Sequence, residues 1–247
     1  MFDISQDYWN DKEVEGKKDI FRLYMEENSE DVLRPDHLEA FNHSKELLEN
    51  NRILPRNVLS LACGTCWLEA LLFKWCGFHS LTGVDFSDIR VQEMAKKTLK
   101  NSGVVKLDLN VDDVYEFSTS KKFDLVILCQ AFHHMDSPVY LLKNIRKLLT
   151  QDGTVLIVGE HRFSLREGFK RFVKHFGKIL LNYKSYRDSH YIFPGYSDLF
   201  GPSLEMGDNH YHLNHYQVMF KRSGFEIIES IDRKGEASKS FLLRAIG

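Results

Sequence analysis

A chain of 247 residues, 43% hydrophobic and 28% charged, has the makeup of a soluble globular protein of one decorated domain. A net charge of -2 gives no global case for nucleic-acid binding, and no run approaches the roughly 18 apolar residues of a membrane span. Cys63, Cys66, Cys76 and Cys129 form no disulfide framework, and the acidic opening Met1–Asp7 lacks a signal-peptide core, so a reducing, cytoplasmic setting is expected.

In chain order, residues 1–56 read as a helical N-terminal cap. Its clearest helix covers 36–50, with Leu38, Phe41, Leu47 and Leu48 apolar, Pro35 in its first turn and Asn50-Asn51 at its end. Such a helix suits a cap beside a ligand mouth and equally an extension packed on a sheet. From 57 to 160 strands and helices alternate. Strands are expected at 57–61, 80–85, Val104–Leu107, Phe123–Cys129 and Thr154–Gly159, with helices at 66–77, Ser87–Asn101 and 137–149 between them. Apolar strands joined by helices argue for a parallel sheet covered on both faces.

Residues 161–215 interrupt this rhythm and read as an inserted lid over the acceptor. Its first part, 162–187, holds eight Lys or Arg against one acid, Glu167, with Phe169, Phe172, Val173, Phe176 and Leu180 at helical spacing. That basic helix could face an anionic partner, whether lipid, RNA phosphate, acyl carrier or nucleotide-linked acceptor, or could simply be a lid with a solvated polar face. The second part is rich in aromatics and histidines. Residues 216–247 return to order, with a helix at about 215–223 and two strands, Phe225–Ile231 and Ser240–Ile246, whose short polar connection makes them antiparallel.

The chemistry centres on Val58–Asp85. A short strand enters the tight turn Ala62-Cys63-Gly64-Thr65-Cys66, a helix follows, and the next strand ends on Asp85, 21 residues after Gly64. Small residues let backbone approach a ligand, and an acid on the second strand accepts ribose hydroxyls. The turn lacks the three glycines that a dinucleotide pyrophosphate requires. Cys63 and Cys66 have no second pair at zinc-ligand spacing, so no metal is expected.

Motif by motif the chain resembles the class I S-adenosylmethionine-dependent methyltransferases, over 57–160 and again over 215–246. Val58–Cys66 sits at their glycine-rich first motif and Gly83-Val84-Asp85-Phe86-Ser87 at the second. Phe123–Val126 through Phe132–Met135 sits at the fourth, and Leu148–Thr154 at the turn before strand five. The resemblance implies a Rossmann-like seven-stranded, mostly parallel α/β sheet with an antiparallel last strand, a helical cap, and a lid between strands five and six. It implies S-adenosylmethionine as cofactor, with Asp85 and Phe86 at the ribose. Asp108 or Asp112, with Leu109, falls to the adenine; Ser60, Ala62, Cys63 and Gly64 to the methionine portion; Cys129 and Gln130 to the floor near the sulfonium. Ser60 stands where the family usually has an acid, and Ala62 and Cys66 where it has glycines. Close backbone approach then requires that neither position need positive φ.

For a hydroxyl acceptor a general base helps, and His133, His134 and His161 follow strands four and five at the ligand-binding edge. His210, His212 and His215 are further histidines within reach of an acceptor. The chain lacks the Asn/Asp-Pro-Pro-aromatic tetrapeptide of base-amine methyltransferases, reading Gln130-Ala131-Phe132-His133 instead. The expectation is O-methylation of a small polar or sugar-like molecule in a polysaccharide or secondary-metabolite pathway, with N-methylation behind it. The rivals are a non-catalytic methyltransferase-like binding module and an RNA- or lipid-surface methyltransferase. The sequence leaves a homodimer open.

Overall fold

The computed structural model describes residues 31, 33–104, 106–161, 211, 213–236 and 238–246. The basic stretch 162–187, the aromatic stretch to 210, His210 and His212 lie outside them. In chain order come α1 (Pro35–Asn50), β1 (Asn57–Leu61), α2 (Trp67–Cys76), β2 (Ser80–Asp85), a π-helical turn (Arg90–Ala95), α3 (Lys96–Ser102) and β3 (Lys106–Val111). Then follow β4 (Phe123–Cys129), a 3-10 turn (Phe132–His134), α4 (Pro138–Leu148), β5 (Leu149–His161), α5 (Leu213–Arg222), β6 (Phe225–Ile231) and β7 (Ser238–Ala245).

Seven strands form one sheet in the order β3-β2-β1-β4-β5-β7-β6. All pairs from β3 to β5 are parallel, and β7 runs antiparallel to both its neighbours. The order reverses between β1 and β4, and the crevice outside that reversal is where open parallel sheets bind ligands. Alternation along the strands feeds two cores. Val58, Leu125, Ile127, Leu156 and Leu242 pack on one face with Phe41 and Leu47 of α1 and Leu68 and Leu72 of α2. Leu59, Val126, Leu128, Val155 and Leu243 pack on the other with Leu141, Leu142 and Ile145 of α4 and Tyr216 and Phe220 of α5. The central strands β1 and β4 therefore read largely apolar, as burial on both faces demands.

Three expected boundaries move. β3 runs to Val111 rather than stopping at Leu107, because it is an edge strand with alternating exposed and half-buried residues. An edge strand half in water shows period-two alternation, which does not register as a continuous apolar run. β5 begins at Leu149 and reaches His161, with one register shift opposite Phe123–Leu125 of β4 and another between Ile157 and Glu160 opposite β7. The helix expected from Ser87 opens instead with the π-helical turn before α3.

α1 lies on the β5–β7 side of the sheet, and polar contacts fix it there. His43 bridges Ser240 Oγ at 2.9 Å and Glu236 Oε2 at 3.1 Å, while Glu39 accepts the Ser238 backbone N–H at 2.8 Å. Its N-terminal end reaches the ligand edge, where His37 stacks on Trp67 with ring centroids 4.6 Å apart. Among the described residues no helix is long and apolar enough to cross a membrane.

Candidate active site

The tip of β1 turns sharply. Ala62, Gly64 and Cys66 all take left-handed backbone, with φ of 51°, 52° and 55°. The turn therefore does require positive φ at 62 and 66, contrary to the condition drawn from the sequence. Two side-chain-bearing residues hold conformations that favour glycine, at about 1–2 kcal/mol each. Ala62→Gly is accordingly expected to stabilise the fold by about 0.5–1 kcal/mol, after the greater unfolded-state freedom of glycine is subtracted. A denaturant midpoint that stays put or falls would show that residue 62 is not left-handed.

What the strain secures is a backbone N–H aimed at an acid. Gly64 N–H donates to Asp85 Oδ2 at 2.8 Å, and Ser87 N–H donates to Oδ1 at 2.9 Å. Burial raises the Asp85 carboxyl above its ordinary value, and the nearby Arg90 guanidinium with the two N–H bonds opposes that rise. Gly64 lies in the left-handed region, where glycine is favoured, and a Cβ there would stand 3.4 Å from Arg90 Nη1. Glycine is also favoured at Gly83 of β2, where a Cβ would meet Leu109 Cδ2 at 2.7 Å and Cys63 Sγ at 3.1 Å.

The other expected cofactor residues divide. Asp112 follows β3 directly and donates its N–H to the Asp85 carbonyl at 3.1 Å, which sets it beside the ribose acid. Asp108 does not follow the strand as expected. It lies within β3, opposite Thr82, and pairs with Lys121 at 2.7 Å. Leu109 packs into the core against Gly83, and Phe86 is half-buried directly after Asp85. Cys63 and Cys66 are buried free thiols, each raised above its ordinary value. Cys129 ends β4, and Gln130 follows with φ of 50°, its N–H on the Val158 carbonyl at 2.8 Å and its side-chain amide 3.5 Å from Asp36 of α1. Gly159 makes room for Gln130, since a Cβ there would lie 2.5 Å from Gln130 Cγ.

Two acids went unnoticed in the sequence. Glu69, in the first turn of α2, is 1% exposed and accepts the Ser60 hydroxyl at 2.5 Å. Burial pushes its carboxyl up to about 7, against the Ser60 bond. Glu160, near the end of β5, is fully buried and collects three donors: Phe132 N–H at 3.1 Å, Tyr216 O–H at 3.0 Å and His133 Nδ1 at 3.3 Å. Burial would raise this carboxyl, but the His133 charge and the hydrogen bonds outweigh it and hold it below the usual glutamate value. The same carboxylate, together with burial, pushes Tyr216 well up, so Tyr216 stays a neutral donor. The three histidines expected after strands four and five come together here. His133 and His134 rings lie 4.1 Å apart, and His133 and His161 rings 4.5 Å apart. His161 is the last residue of β5 rather than a residue past it, and His215 lies on α5.

Cys129 senses the field of this edge. Its thiol is raised first by burial and then by the charges of Glu69, Glu160 and Asp36. Carboxyl groups from α2, β5 and α1 thus gather around the tip of β4. The buried Thr65 hydroxyl, inside the turn and without a hydrogen-bond partner among the described residues, is a further polar group that a ligand can satisfy.

A strained small-residue turn, a buried acid on β2 and acids gathered at the β4 tip, all at the sheet reversal, are the arrangement that the resemblance to class I methyltransferases leads one to expect at a cofactor site. Comparison with known proteins agrees. Residues 58–153 match the methyltransferase domain family. An uncharacterised methyltransferase of Schizosaccharomyces pombe is 27% identical over 154 residues, covering 55% of this chain and 52% of its own. A malonyl-[acyl-carrier protein] O-methyltransferase of Halalkalibacterium halodurans is 25% identical over 129 residues, covering 51% of this chain and 48% of its own. The chain spans about half the length of these curated relatives. Among solved structures, magnesium protoporphyrin IX methyltransferase from Synechocystis PCC 6803 with bound S-adenosylhomocysteine superposes with a TM-score of 0.64 at 15% identity, covering 99% of both chains. Residues 58–153 thus carry a methyltransferase domain, and the fold is that of the solved S-adenosylmethionine-dependent methyltransferases.

Proposed function

We propose that this protein methylates an oxygen of a small polar acceptor, with His133 as the base that removes the hydroxyl proton. The observation that carries this reading is the Glu160–His133 pair at the edge shared with the cofactor turn. When bound, the cofactor supplies an electrophilic methyl group on sulfur, displaced in line by the acceptor. Asp85, the backbone at Ala62 and Gly64, and Asp112 would hold its nucleoside and methionyl parts. Glu160, ionised and buried, accepts from His133 Nδ1–H and so favours the tautomer in which Nε2 is the basic nitrogen. The new oxygen–carbon bond forms as the carbon–sulfur bond breaks, and the acceptor proton ends on His133. The imidazolium so formed is stabilised by the Glu160 carboxylate beside it.

Support for oxygen comes from the relatives whose names state an acceptor, both malonyl-[acyl-carrier protein] O-methyltransferases. That the acceptor is small and sugar-like rests on the aromatic and histidine content of 186–216, and the polysaccharide or secondary-metabolite pathway on the resemblance carried by Leu59–Gly64 and Asp108–Asn110. The decisive experiment compares His133→Ala, His134→Ala and His161→Ala at saturating cofactor on an acceptor found by screening hydroxylated small molecules. A drop of roughly 10²-fold or more confined to His133→Ala is expected for loss of a general base. Equal turnover in all three removes the histidines from proton transfer.

A further inference from the structure

The family's usual acid at the tip of β1 is absent, and Ser60 takes its place. Nine residues later a carboxylate returns to the same spot from the facing helix: Glu69 Oε1 lies 2.5 Å from Ser60 Oγ, at 1% exposure. No cation pairs with Glu69 among the described residues. Its surroundings are the Cys63 and Cys66 thiols of the turn and Cys129 of β4, each of which feels its charge. The other charged groups bearing on those thiols, Asp85 of β2, Glu160 of β5 and Asp36 of α1, are also acids. Of the three acids that raise Cys129, Glu69 acts most strongly. A desolvated acid among acids, with no cation beside it among the described residues, favours a cationic ligand over a neutral or anionic one.

We infer that Glu69 receives the ammonium group of the cofactor's methionyl end, in place of the acid missing from position 60. Ser60 serves as a positioning residue, its hydroxyl holding one carboxylate oxygen so that the other faces the turn. This inference rests on the S-adenosylmethionine reading of the site. It has a direct consequence for pH. Burial alone holds the Glu69 carboxyl near 7, so much of it is protonated at slightly acidic pH in the free protein. The ammonium needs the ionised form, so binding releases a proton. Affinity therefore climbs as pH rises from 6, by roughly tenfold up to pH 8, with most of the rise complete a little above 7.

The test is calorimetric titration of the full chain with S-adenosylhomocysteine and, separately, with 5′-methylthioadenosine, which has the nucleoside and sulfur but no amino-acid tail. Wild type and Glu69→Gln are compared between pH 6 and 8. Glutamine keeps the size and the Ser60 bond of the protonated acid, so the fold is preserved, and a circular dichroism melt verifies it. The expected result is that Glu69→Gln weakens S-adenosylhomocysteine at pH 8 by tenfold or more, flattens its pH dependence, and leaves methylthioadenosine unchanged. Equal S-adenosylhomocysteine binding with the same pH slope in both proteins overturns the role of Glu69 while leaving the cofactor site intact. Failure of both ligands to bind wild type overturns the cofactor reading itself. Should the variant not fold, the wild type still decides: a pH-independent affinity between 6 and 8 overturns the inference.

Discussion

Asp85→Asn is expected to weaken S-adenosylhomocysteine binding by roughly a hundredfold or more, about 3 kcal/mol. Two effects combine. The carboxylate accepts N–H donors on both oxygens, from Gly64 and from Ser87. An amide offers one acceptor and one NH2, so one of those donors faces another donor, and the turn loses its anchor. The ribose hydroxyls also lose a charged acceptor for a neutral one, and charge-assisted bonds are about twice as strong. The measurement is calorimetry on a folded variant, with the melting curve recorded beside it. Affinity within threefold of wild type would detach Asp85 from the ribose and reduce it to a helix-capping acid.

Glu160→Gln carries the second large effect, and it should fall on turnover rather than on cofactor affinity. Three donors converge on this carboxylate, and only one of its atoms in the amide can still accept. Breaking a buried, hydrogen-bonded charged group of this kind costs about 3–5 kcal/mol of stability. With the partner changed, His133 no longer has its tautomer fixed or its imidazolium stabilised. Turnover is expected to fall roughly 10²-fold or more, with the Kd for cofactor unchanged and the acidic limb of the pH–rate profile displaced. A loss of stability with an unmoved pH profile would make Glu160 a structural acid only. The wild-type fold carries a matching signature. The Glu160 carboxyl is held below its ordinary 4.5, so its stabilising contribution is complete above that value and is lost as pH falls through the lower folded value. The stability of wild type should therefore fall more steeply with acid than that of Glu160→Gln, the two converging at low pH.

Much of the architecture could be read from residues 57–160, because parallel strands buried on both faces appear as plain apolar runs. The Gly64 to Asp85 interval was legible for the same reason: a strand, a turn and a helix of ordinary length fix it. What escaped reading was polar chemistry brought together from distant parts of the chain. Glu69 looks like a first-turn acid on an amphipathic helix, and nothing local says that α2 turns it inward onto Ser60. One signal was available, namely an acid gained close to an acid lost. Glu160 closes an apolar strand and resembles a solvent-facing terminus, since its partners Phe132 and Tyr216 stand 28 and 56 residues away. Asp108 was placed past a strand that in fact continues, because an edge strand alternates where a central one does not. Positive φ at Ala62 and Cys66 was the hardest to anticipate, since neither residue type favours it.

The central claim is that the turn from β1, closed on Asp85, binds S-adenosylmethionine. The most direct measurement is a calorimetric titration of the purified, folded chain with S-adenosylmethionine, repeated with Asp85→Asn. The structure predicts one saturable site per chain in the wild type and its loss in the variant. No detectable binding to the folded wild type at millimolar cofactor would contradict it.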